Sequence, residues 1–161
     1  MTVKEYNQAV EDYSNGVYRF ILKNIKDGDK ARDVVQDSFE KLWIKHETVS
    51  AAKVKSYLFS TAYHTMIDMI RKESRFTELE KVHEREYLHD NQYSDLNEIL
   101  HRALNLLPDI QRSVILLRDY EGYSYDEIAE ITGLNESQVK VYIYRGRVFL
   151  KTYIGSPEKV I

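Results

Sequence analysis

The sequence predicts an all-α protein with two small helical domains joined by a flexible linker, the second a four-helix domain that contains a helix-turn-helix. Apolar residues recur at spacings of three and four along most of the chain, which is the period of an amphipathic helix. No alternating run is bounded by the turn pairs that mark strands, and the 161 residues include only 6 Gly and 2 Pro. A polar, acidic stretch at 77–94 separates the helical parts, so we expect the domain boundary there.

Composition excludes several classes of function. The chain has no cysteine, which excludes disulfides, thiolate catalysis and cysteine-based zinc sites. Its formal net charge of -3 argues against nonspecific coating of nucleic acid, so any DNA binding must use local basic patches. No signal peptide is recognisable, and no apolar run approaches the roughly 20 residues of a membrane span. With 43% hydrophobic residues, we expect a folded, soluble, cytoplasmic protein.

The first 30 residues predict two short helices. Thr2 and Glu5 form a capping box, and the apolar stripe that follows ends near Tyr13. The run 14–16, Ser-Asn-Gly, is expected to interrupt the helix. A second helix then carries the stripe Val17, Phe20, Ile21 and Ile25. Residues 27–29, Asp-Gly-Asp, end it and supply the next cap.

A third helix is predicted from Lys30 to about His46. The residues expected to face inward are Ala31, Val34, Val35, Phe39 (or Ser38) and Leu42. The remaining surface carries Asp33, Gln36, Asp37, Glu40 and Trp43. Such a polar, acidic face is usually only solvated, and a lone Trp is often at least partly buried.

A fourth helix, from Ala51 to about Ser74 with Ser50 as its cap, has two distinct faces. The expected buried stripe is Val54, Leu58, Ala62, Met66 and Met69 or Ile70. The other face aligns Tyr57, His64, Asp68 and Arg71, with Lys72 and further bases at the helix ends. Aromatic rings interleaved with bases suit single-stranded nucleic acid, which offers a face to stack and a phosphate to neutralise. In the alternative interpretation, His64 and Asp68 form an ordinary surface pair, and Phe59, Tyr63 and Phe76 belong to the core.

The acidic stretch gives no prediction of a metal site. His83, Glu84 and His89 are conceivable as ligands, but there is no His pair at helical spacing and no third ligand at a telling distance. No metal, cofactor or catalytic residue is predicted. The predicted domains are 1–76 and 95–154, with a linker at 77–94 and a tail at 155–161.

Four helices are predicted in the second domain. Ser94 caps the first, whose wide apolar face is Leu96, Ile99, Leu100, Ala103, Leu104 and Leu107. Pro108 is placed at the first position of the next, where its missing amide costs nothing. That helix turns Ile110, Val114, Leu117 and Tyr120 inward and ends at Gly122.

The last two helices form the predicted helix-turn-helix. Ser124 and Glu127 make a capping box, Gly133 stops the first helix, and Asn135 caps the second with Gln138 at the reciprocal position. Residues 138–153 contain four bases and no acid, Lys140, Arg145, Arg147 and Lys151. This local charge favours a helix that enters the major groove of duplex DNA over two helices that merely pack in a core.

The two halves together resemble an extracytoplasmic-function (ECF) sigma factor, the minimal form of the bacterial RNA polymerase specificity subunit. Leu107–Glu130, LPDIQRSVILLRDYEGYSYDEIAE, is similar to the family's region four. Ala31–Trp43, ARDVVQDSFEKLW, resembles its polymerase-docking segment, and Ser56–Lys72, SYLFSTAYHTMIDMIRK, its minus-ten reading and melting segment. The resemblance covers about residues 5–152.

The resemblance implies three sets of binding residues. Core polymerase would be contacted by Asp33, Gln36, Asp37 and Trp43. The opened minus-ten strand would be contacted by Tyr57, His64, Asp68, Arg71 and Lys72. The minus-thirty-five duplex would be contacted by Glu136, Ser137, Gln138, Lys140, Tyr144 and Arg145.

The chain departs from the family pattern at four positions of its DNA-binding segments. Tyr57 replaces a Trp, and His64 stands where Asn is common, so the minus-ten preference is expected to differ. Gln138 and Tyr142 replace the common Thr and Arg of the recognition helix, and a Gln there could pair with adenine.

The implied partners are core RNA polymerase, promoter DNA as duplex and single strand, and an anti-sigma factor, without membrane insertion. Two other classes remain open. The chain could be a stand-alone helix-turn-helix regulator. It could also be an enzyme with His64 and Asp68 as an acid-base pair, although no third group accompanies them.

Overall fold

The computed structural model describes residues 1–80 and 95–155, with side chains described for 1–75 and 96–155. Every regular element in these ranges is helical, which confirms the predicted fold class. In chain order the helices are α1 (Val3–Ile25), α2 (Gly28–Ile44), α3 (Val54–Glu80), α4 (Asp95–Leu106), α5 (Asp109–Ile115), α6 (Tyr125–Thr132) and α7 (Glu136–Ile154). A 3₁₀ turn, Ala51–Lys53, precedes α3, and a π-helical segment, Leu116–Tyr120, continues α5.

Helices α1, α2 and α3 pack against one another in pairs and form the first helical unit. The predicted capping box at Thr2 is present, since its hydroxyl accepts from Glu5 N and the Glu5 carboxylate accepts from Thr2 N. Helix α1 ends at Lys26, which adopts the left-handed conformation with φ 58°. The Asp27 side chain then accepts from the backbone amides of residues 29 and 30 and caps α2.

The predicted interruption of the first helix at 14–16 is wrong, because α1 is continuous through these residues. Gly in a helix interior costs about 1 kcal/mol relative to Ala. The turn that follows buries Val17, Phe20 and Ile21 almost completely, and each such side chain contributes about 1.5–3 kcal/mol. Burial therefore outweighs the local preference of the Ser-Asn-Gly run for a turn.

The start and end of the fourth predicted helix also differ from expectation. The Ser50 side chain makes no capping bond; instead its carbonyl accepts from Lys53 N at 2.9 Å and closes the 3₁₀ turn. Helix α3 extends beyond Ser74 to Glu80. The predicted stripe is buried from Val54 to Met66, while Met69 and Ile70 are half-buried. Phe59 and Tyr63 are buried as well, so for these two rings the core interpretation is correct.

The third helix keeps its predicted inward face, with small differences in its bounds and in two residues. It runs from Gly28 to Ile44 rather than from Lys30 to His46. Ser38 and Phe39 are both buried, and Val35 is only partly buried. The hydroxyl of Ser38 donates to the Val34 carbonyl at 2.7 Å, which explains how a serine occupies the core.

The second unit consists of α4 to α7, with α7 in contact with α4, α5 and α6. Pro108 occupies the N-cap rather than the first helical position, and its carbonyl accepts from Arg112 N at 3.0 Å. The π-helical segment shifts the register of the next residues. Tyr120, predicted to face inward, therefore lies at the surface under the Lys23 ammonium, 3.9 Å from the ring centroid. Leu96 is also exposed, contrary to prediction, and Ser94 lies outside the described residues.

The two units pack against each other, mainly α3 on α6 and α1 on α5 and the π-helical segment. A buried polar network crosses the interface: Asn24 Oδ1 accepts from Arg112 Nε at 3.2 Å and from Ser113 Oγ at 3.1 Å. The rings of Phe59 and Tyr123 meet edge to face with centroids 5.1 Å apart. Most of the buried apolar residues of both units form one continuous cluster.

Candidate nucleic-acid interface

The helix-turn-helix is built by local capping interactions that the sequence predicted. Ser124 Oγ accepts from Glu127 N at 3.2 Å, and the Glu127 carboxylate accepts from Ser124 N at 3.0 Å. Helix α6 ends at Gly133, whose φ of 80° is the left-handed conformation that a residue without Cβ adopts readily. Asn135 then caps α7. The turn is therefore specified by interactions within a few residues of it.

Helix α7 is anchored through one face and exposed on the other. Val139, Ile143 and Gly146 are buried, and Gly146 lets the helix approach α5 so closely that an added Cβ would lie 2.2 Å from Ile115 Cδ1. On the opposite face Tyr144 is 70% exposed. Arg145 is also exposed and makes no ion pair within the described part of the chain. This cation, unpaired among the described residues, is available to a phosphate.

Two polar residues of α7 are held by interactions that the sequence did not reveal. Gln138 Oε1 accepts from Asn135 N at 3.0 Å, so bidentate pairing of this amide with an adenine would cost the cap. Arg147 is bound to Asp119, with Nη2–Oδ1 and Nε–Oδ2 distances of 2.5 and 3.2 Å. This hydrogen bonding raises the pKa of Arg147. Of the four predicted bases, Arg147 is thus already neutralised.

The remaining minus-thirty-five candidates lie at the exposed start of α7. Glu136, Ser137 and Gln138 are all exposed in its first turn. Lys140 reaches back one turn, with its Nζ 3.4 Å from the Glu136 carboxylate, and also lies 5.6 Å from the Tyr125 ring centroid. The structure therefore gathers all six predicted residues on the outward side of one helix.

The minus-ten candidates lie along one face of α3. His64, Asp68, Arg71 and Lys72 are exposed, and Tyr57 is half-buried one to two turns earlier. The His64 ring lies edge to face against buried Tyr63, with centroids 5.2 Å apart. No ion pair joins His64 and Asp68 in the described residues. The surface pair considered as the alternative is therefore not formed.

A cavity of about 410 Å³ opens at the N-terminal end of this face. Its lining is rich in hydroxyl groups and is formed by Thr48, Val49, Ser50, Lys53, Ser56, Tyr57, Ser60, Thr61 and Glu130. Glu130 comes from α6 of the second unit, and its carboxylate lies 3.6 Å from Lys53 Nζ. Sequence reasoning identified Tyr57 but missed the hydroxyls. Ser56 and Ser60, one turn apart beside it, were the signal that could have indicated them.

The polymerase-docking candidates share the outer side of α2. Asp33 and Gln36 are exposed, and Asp37 is half-buried with its carboxylate 3.0 Å from Lys41 Nζ. Trp43 is 43% exposed. Its ring stacks on His46 at 4.4 Å between centroids and meets Tyr6 edge to face at 5.1 Å. Trp43 is therefore a surface residue held in a fixed orientation by two other rings.

Two kinds of site are absent from the residues that the structure describes. No helix there is long and apolar enough to span a bilayer. No group of three or more metal-ligating side chains occurs there either. His83, Glu84 and His89, the weak metal candidates, lie outside the described residues.

Comparison with known proteins gives matches to both halves of the chain. The family model of sigma-70 region 2 matches residues 9–76, and that of sigma-70, region 4 matches residues 97–150. RNA polymerase sigma factor SigV of Bacillus subtilis is 34% identical over 141 residues, which cover 85% of this chain and 83% of that protein. ECF RNA polymerase sigma factor SigM of the same species is 28% identical over 156 residues, which cover 94% of each.

Solved structures with the same fold span nearly the whole chain. Sigma factor RpoE of Bartonella quintana, in complex with the anti-sigma factor NepR, has a TM-score of 0.81 at 27% identity and covers 96% of this chain and 99% of that one. CnrH, in complex with the cytosolic domain of CnrY, has a TM-score of 0.67 at 23% identity, with 91% and 85% covered, and supports the fold alone.

Proposed function

Because this chain belongs to the ECF group of the sigma-70 family, the promoter-specificity subunits of bacterial RNA polymerase, we propose that three of its surfaces divide the work of initiation. The outer side of α2 binds core polymerase, the cavity and exposed face of α3 take the minus-ten strand, and α7 reads the minus-thirty-five duplex. The observation that supports this division is that the two surfaces are separate and chemically different. The α3 surface is lined by hydroxyl groups and an aromatic ring, and the α7 surface carries exposed bases. Neither requires covalent chemistry, and we propose no enzymatic activity.

The outward side of α7 supports minus-thirty-five recognition. Arg145 is exposed and unpaired among the described residues, and Lys140 is held only by a neighbour on its own helix. Such bases contribute a salt-dependent phosphate attraction. The first turn of α7 carries Glu136, Ser137 and Gln138. In helix-turn-helix complexes the residues at the start of the second helix are the ones that reach base edges. Tyr144, also outward, adds a hydroxyl and an aromatic face.

The α3 cavity supports capture of the minus-ten strand. Serine and threonine hydroxyls both donate and accept hydrogen bonds, so they suit the polar edge of an unpaired base, while the Tyr57 ring offers a surface for stacking. Lys53 at the rim is placed for a backbone phosphate. His64, Asp68, Arg71 and Lys72 continue the same path along the exposed helix face. At the closed interface the Glu130 carboxylate occupies the position next to Lys53 that a phosphate would take.

The α2 surface supports docking on core polymerase. Asp33, Gln36 and Asp37 supply carboxylate and amide groups, and Trp43 supplies an exposed, orientated ring of the type enriched at binding hot spots. Replacing Gln36 with Ala and Asp37 with Lys together should weaken capture of core polymerase and leave the thermal melt nearly unchanged. Asp126→Lys, an equal charge change on α6, is the control. Unaltered capture by the double variant would exclude α2 as the docking surface.

The partners we propose are core RNA polymerase, promoter DNA and an anti-sigma factor, in the cytoplasm. The third rests on similarity to RpoE, which was solved in complex with the anti-sigma factor NepR. The close packing of the two units leaves the surfaces of α2 and α7 outside the interdomain contact, while it draws Glu130 into the α3 cavity. Opening of that contact would thus precede use of the cavity.

In vitro transcription of a promoter library with core polymerase tests the proposed function. The full chain should direct initiation from a subset of templates that share two elements, and core polymerase without it should not. A stand-alone helix-turn-helix regulator would bind duplex DNA without conferring initiation on core polymerase. Sequencing the transcripts gives both promoter elements in the same experiment.

A further inference from the structure

The outward face of α7 has an apolar centre. Val141, Tyr144 and Val148 follow one another at spacings of three and four, and they are 43%, 70% and 46% exposed. At about 100° per residue they lie roughly half a turn around the helix from the buried Val139 and Ile143. Single exposed apolar residues are ordinary, but a line of them opposite the anchored face indicates a surface that a partner covers.

The charged residues on either side of this apolar line indicate which kind of partner covers it. Lys140 and Lys151 lie on one side of it and Arg145 on the other, and all three are exposed. The major groove of DNA has the complementary arrangement, with phosphates along both walls and the thymine C5-methyl as the apolar group on its floor. An apolar protein partner would supply no counter-charge to these bases, of which Lys140 alone is paired among the described residues, with Glu136. We therefore assign the part of this face around Val141 and Tyr144 to the major groove.

Among the three apolar residues, Val141 has the position along the helix that is best suited to contact a base. It lies five residues after Glu136, about 7.5 Å from the start of α7 at 1.5 Å per residue, within the part that reaches base edges in helix-turn-helix complexes. Val148 lies about 18 Å from the start, which exceeds the roughly 12 Å width of the major groove. Val141 has only methyl groups to offer, whereas the Gln138 amide oxygen is occupied in the cap.

We propose that Val141 is a specificity-determining residue of the minus-thirty-five contact and selects a thymine through its C5-methyl group. The inference rests on the proposed function and adds a base identity to it. Uracil, which lacks only this methyl, should be a poor substitute at that position. A 5-methylcytosine placed there should regain the apolar contact relative to cytosine.

The test uses the full chain with core polymerase on a promoter selected from the library. Each thymine of its minus-thirty-five element is replaced singly by deoxyuridine, on either strand. At one position we expect initiation by the wild-type chain to fall about fourfold, the effect of losing one buried methyl group. Val141→Ala should lower initiation on the thymine template by a similar factor. Replacing that thymine by deoxyuridine should then lower initiation by this variant no further. Initiation by Val141→Thr, which keeps one methyl, should lie between that of the wild-type chain and that of Val141→Ala on the thymine template.

Val148→Ala is the matched control, because it removes the same atoms from the same helix face and should keep the wild-type sensitivity to deoxyuridine. The inference is overturned if Val141→Ala shows the wild-type sensitivity at every thymine, or if the wild-type chain shows none. Either result leaves the proposed function intact. Failure of the full chain to initiate from any template would instead overturn the proposed function, and this inference with it.

Discussion

Arg19 of α1 and Glu121, at the end of the π-helical segment, form an ion pair with two hydrogen bonds between the two helical units. The Nε–Oε2 and Nη2–Oε1 distances are 2.9 and 2.8 Å. The Glu121 side chain is only 5% exposed, whereas that of Arg19 is 49% exposed. The hydrogen bond to Glu121 raises the pKa of Arg19. A nearly buried carboxylate thus depends on a half-exposed cation from the other unit.

Arg19→Ala should therefore destabilise the chain, because Glu121 would keep its burial and lose its partner. We expect a loss of about 1–3 kcal/mol in the free energy of unfolding, measured by urea titration. Adding Glu121→Gln should restore part of this loss. Arg32→Ala is the control, since the pair of Arg32 with Asp29 is exposed to solvent and should contribute little to stability. Equal losses for the two arginine variants would contradict the importance of burial.

Gly146 gives a second prediction, on packing between α5 and α7. An added Cβ would lie 2.2 Å from Ile115 Cδ1, so Gly146→Ala should cost about 1–3 kcal/mol through overpacking despite the better helix propensity of Ala. Ile115→Val removes the clashing atom and should rescue the variant. Gly16→Ala is the matched control, because its Cβ would meet side-chain atoms no closer than 3.4 Å. Chemical denaturation compares all four chains.

Local interactions explain why much of the fold could be predicted. The three capping boxes, at Thr2, Ser124 and Asn135, each join residues three apart, so the sequence contains both partners within one window. Gly133 is likewise a local stop. The continuity of α1 through Gly16 was not predictable in this way. It depends on burial against helices from elsewhere in the chain, including Phe59, which lies 3.5 Å from where a Gly16 Cβ would stand.

For the candidate sites too, local features could be predicted from the sequence and contacts between distant segments could not. The exposed face of α3 followed from helical periodicity, but the cavity at its end did not. Lys53 and Glu130 come from segments separated by more than 70 residues and meet only when the two units pack. The pairing of Arg147 with Asp119 also joins two helices. The number of bases counted along the α7 sequence is therefore larger than the number that α7 has available for DNA.

A third prediction separates Arg145 from Arg147 on α7. Arg145 is unpaired among the described residues, so Arg145→Ala should flatten the log–log salt dependence of duplex binding by about one unit, the release of roughly one counterion. Arg147→Ala should change the slope less and lower the melting temperature more, because it leaves Asp119 without its partner. Equal slopes for both variants would mean that the ion pair with Asp119 opens on DNA. Fluorescence anisotropy of a selected promoter duplex from low to moderate salt provides the measurement.

The fourth prediction concerns pH and His101 of α4, which feels the charges of Lys23 and Lys26 at the end of α1. Partial desolvation, followed by repulsion from Lys26 and Lys23, lowers the pKa of His101, which is otherwise an exposed residue. Arg112 is the further cation beside Lys26, and partial desolvation also lowers the pKa of Lys26 itself. The folded protein thus favours neutral His101 more than the unfolded chain does. This stabilisation is fully present above the unfolded pKa of about 6.5 and is lost as pH falls through the lower folded value.

His101→Gln removes that titration and keeps a polar side chain of similar size. Its melting temperature should fall less than that of the wild-type chain when the pH is lowered from 7.5 to 5.5. The other histidines are common to both proteins, so the difference between the two pH profiles reports His101. Parallel pH profiles of melting temperature would show that the lysines of α1 do not affect the titration of His101.

The last prediction concerns Glu130, whose carboxylate lies 3.6 Å from Lys53 Nζ at the rim of the α3 cavity. Both side chains are more than half exposed, so their attraction is worth no more than about 1 kcal/mol. A phosphate of the minus-ten strand would compete for Lys53. Glu130→Gln should therefore raise the affinity of the full chain for a single-stranded minus-ten oligonucleotide by up to about fivefold, and Lys53→Gln should lower it.

Asp126→Asn provides the control for net charge, because Asp126 is an exposed acid on the same helix and does not line the cavity. Anisotropy of a labelled oligonucleotide, taken from the library promoter, compares the four chains at one salt concentration. If Glu130 competes with the strand, its variant gains affinity beyond the Asp126 control, and adding Lys53→Gln removes the excess. Equal gains for the two acid variants would mean that Glu130 acts only through the overall field, and that closure of α6 over the cavity does not hinder entry of the strand.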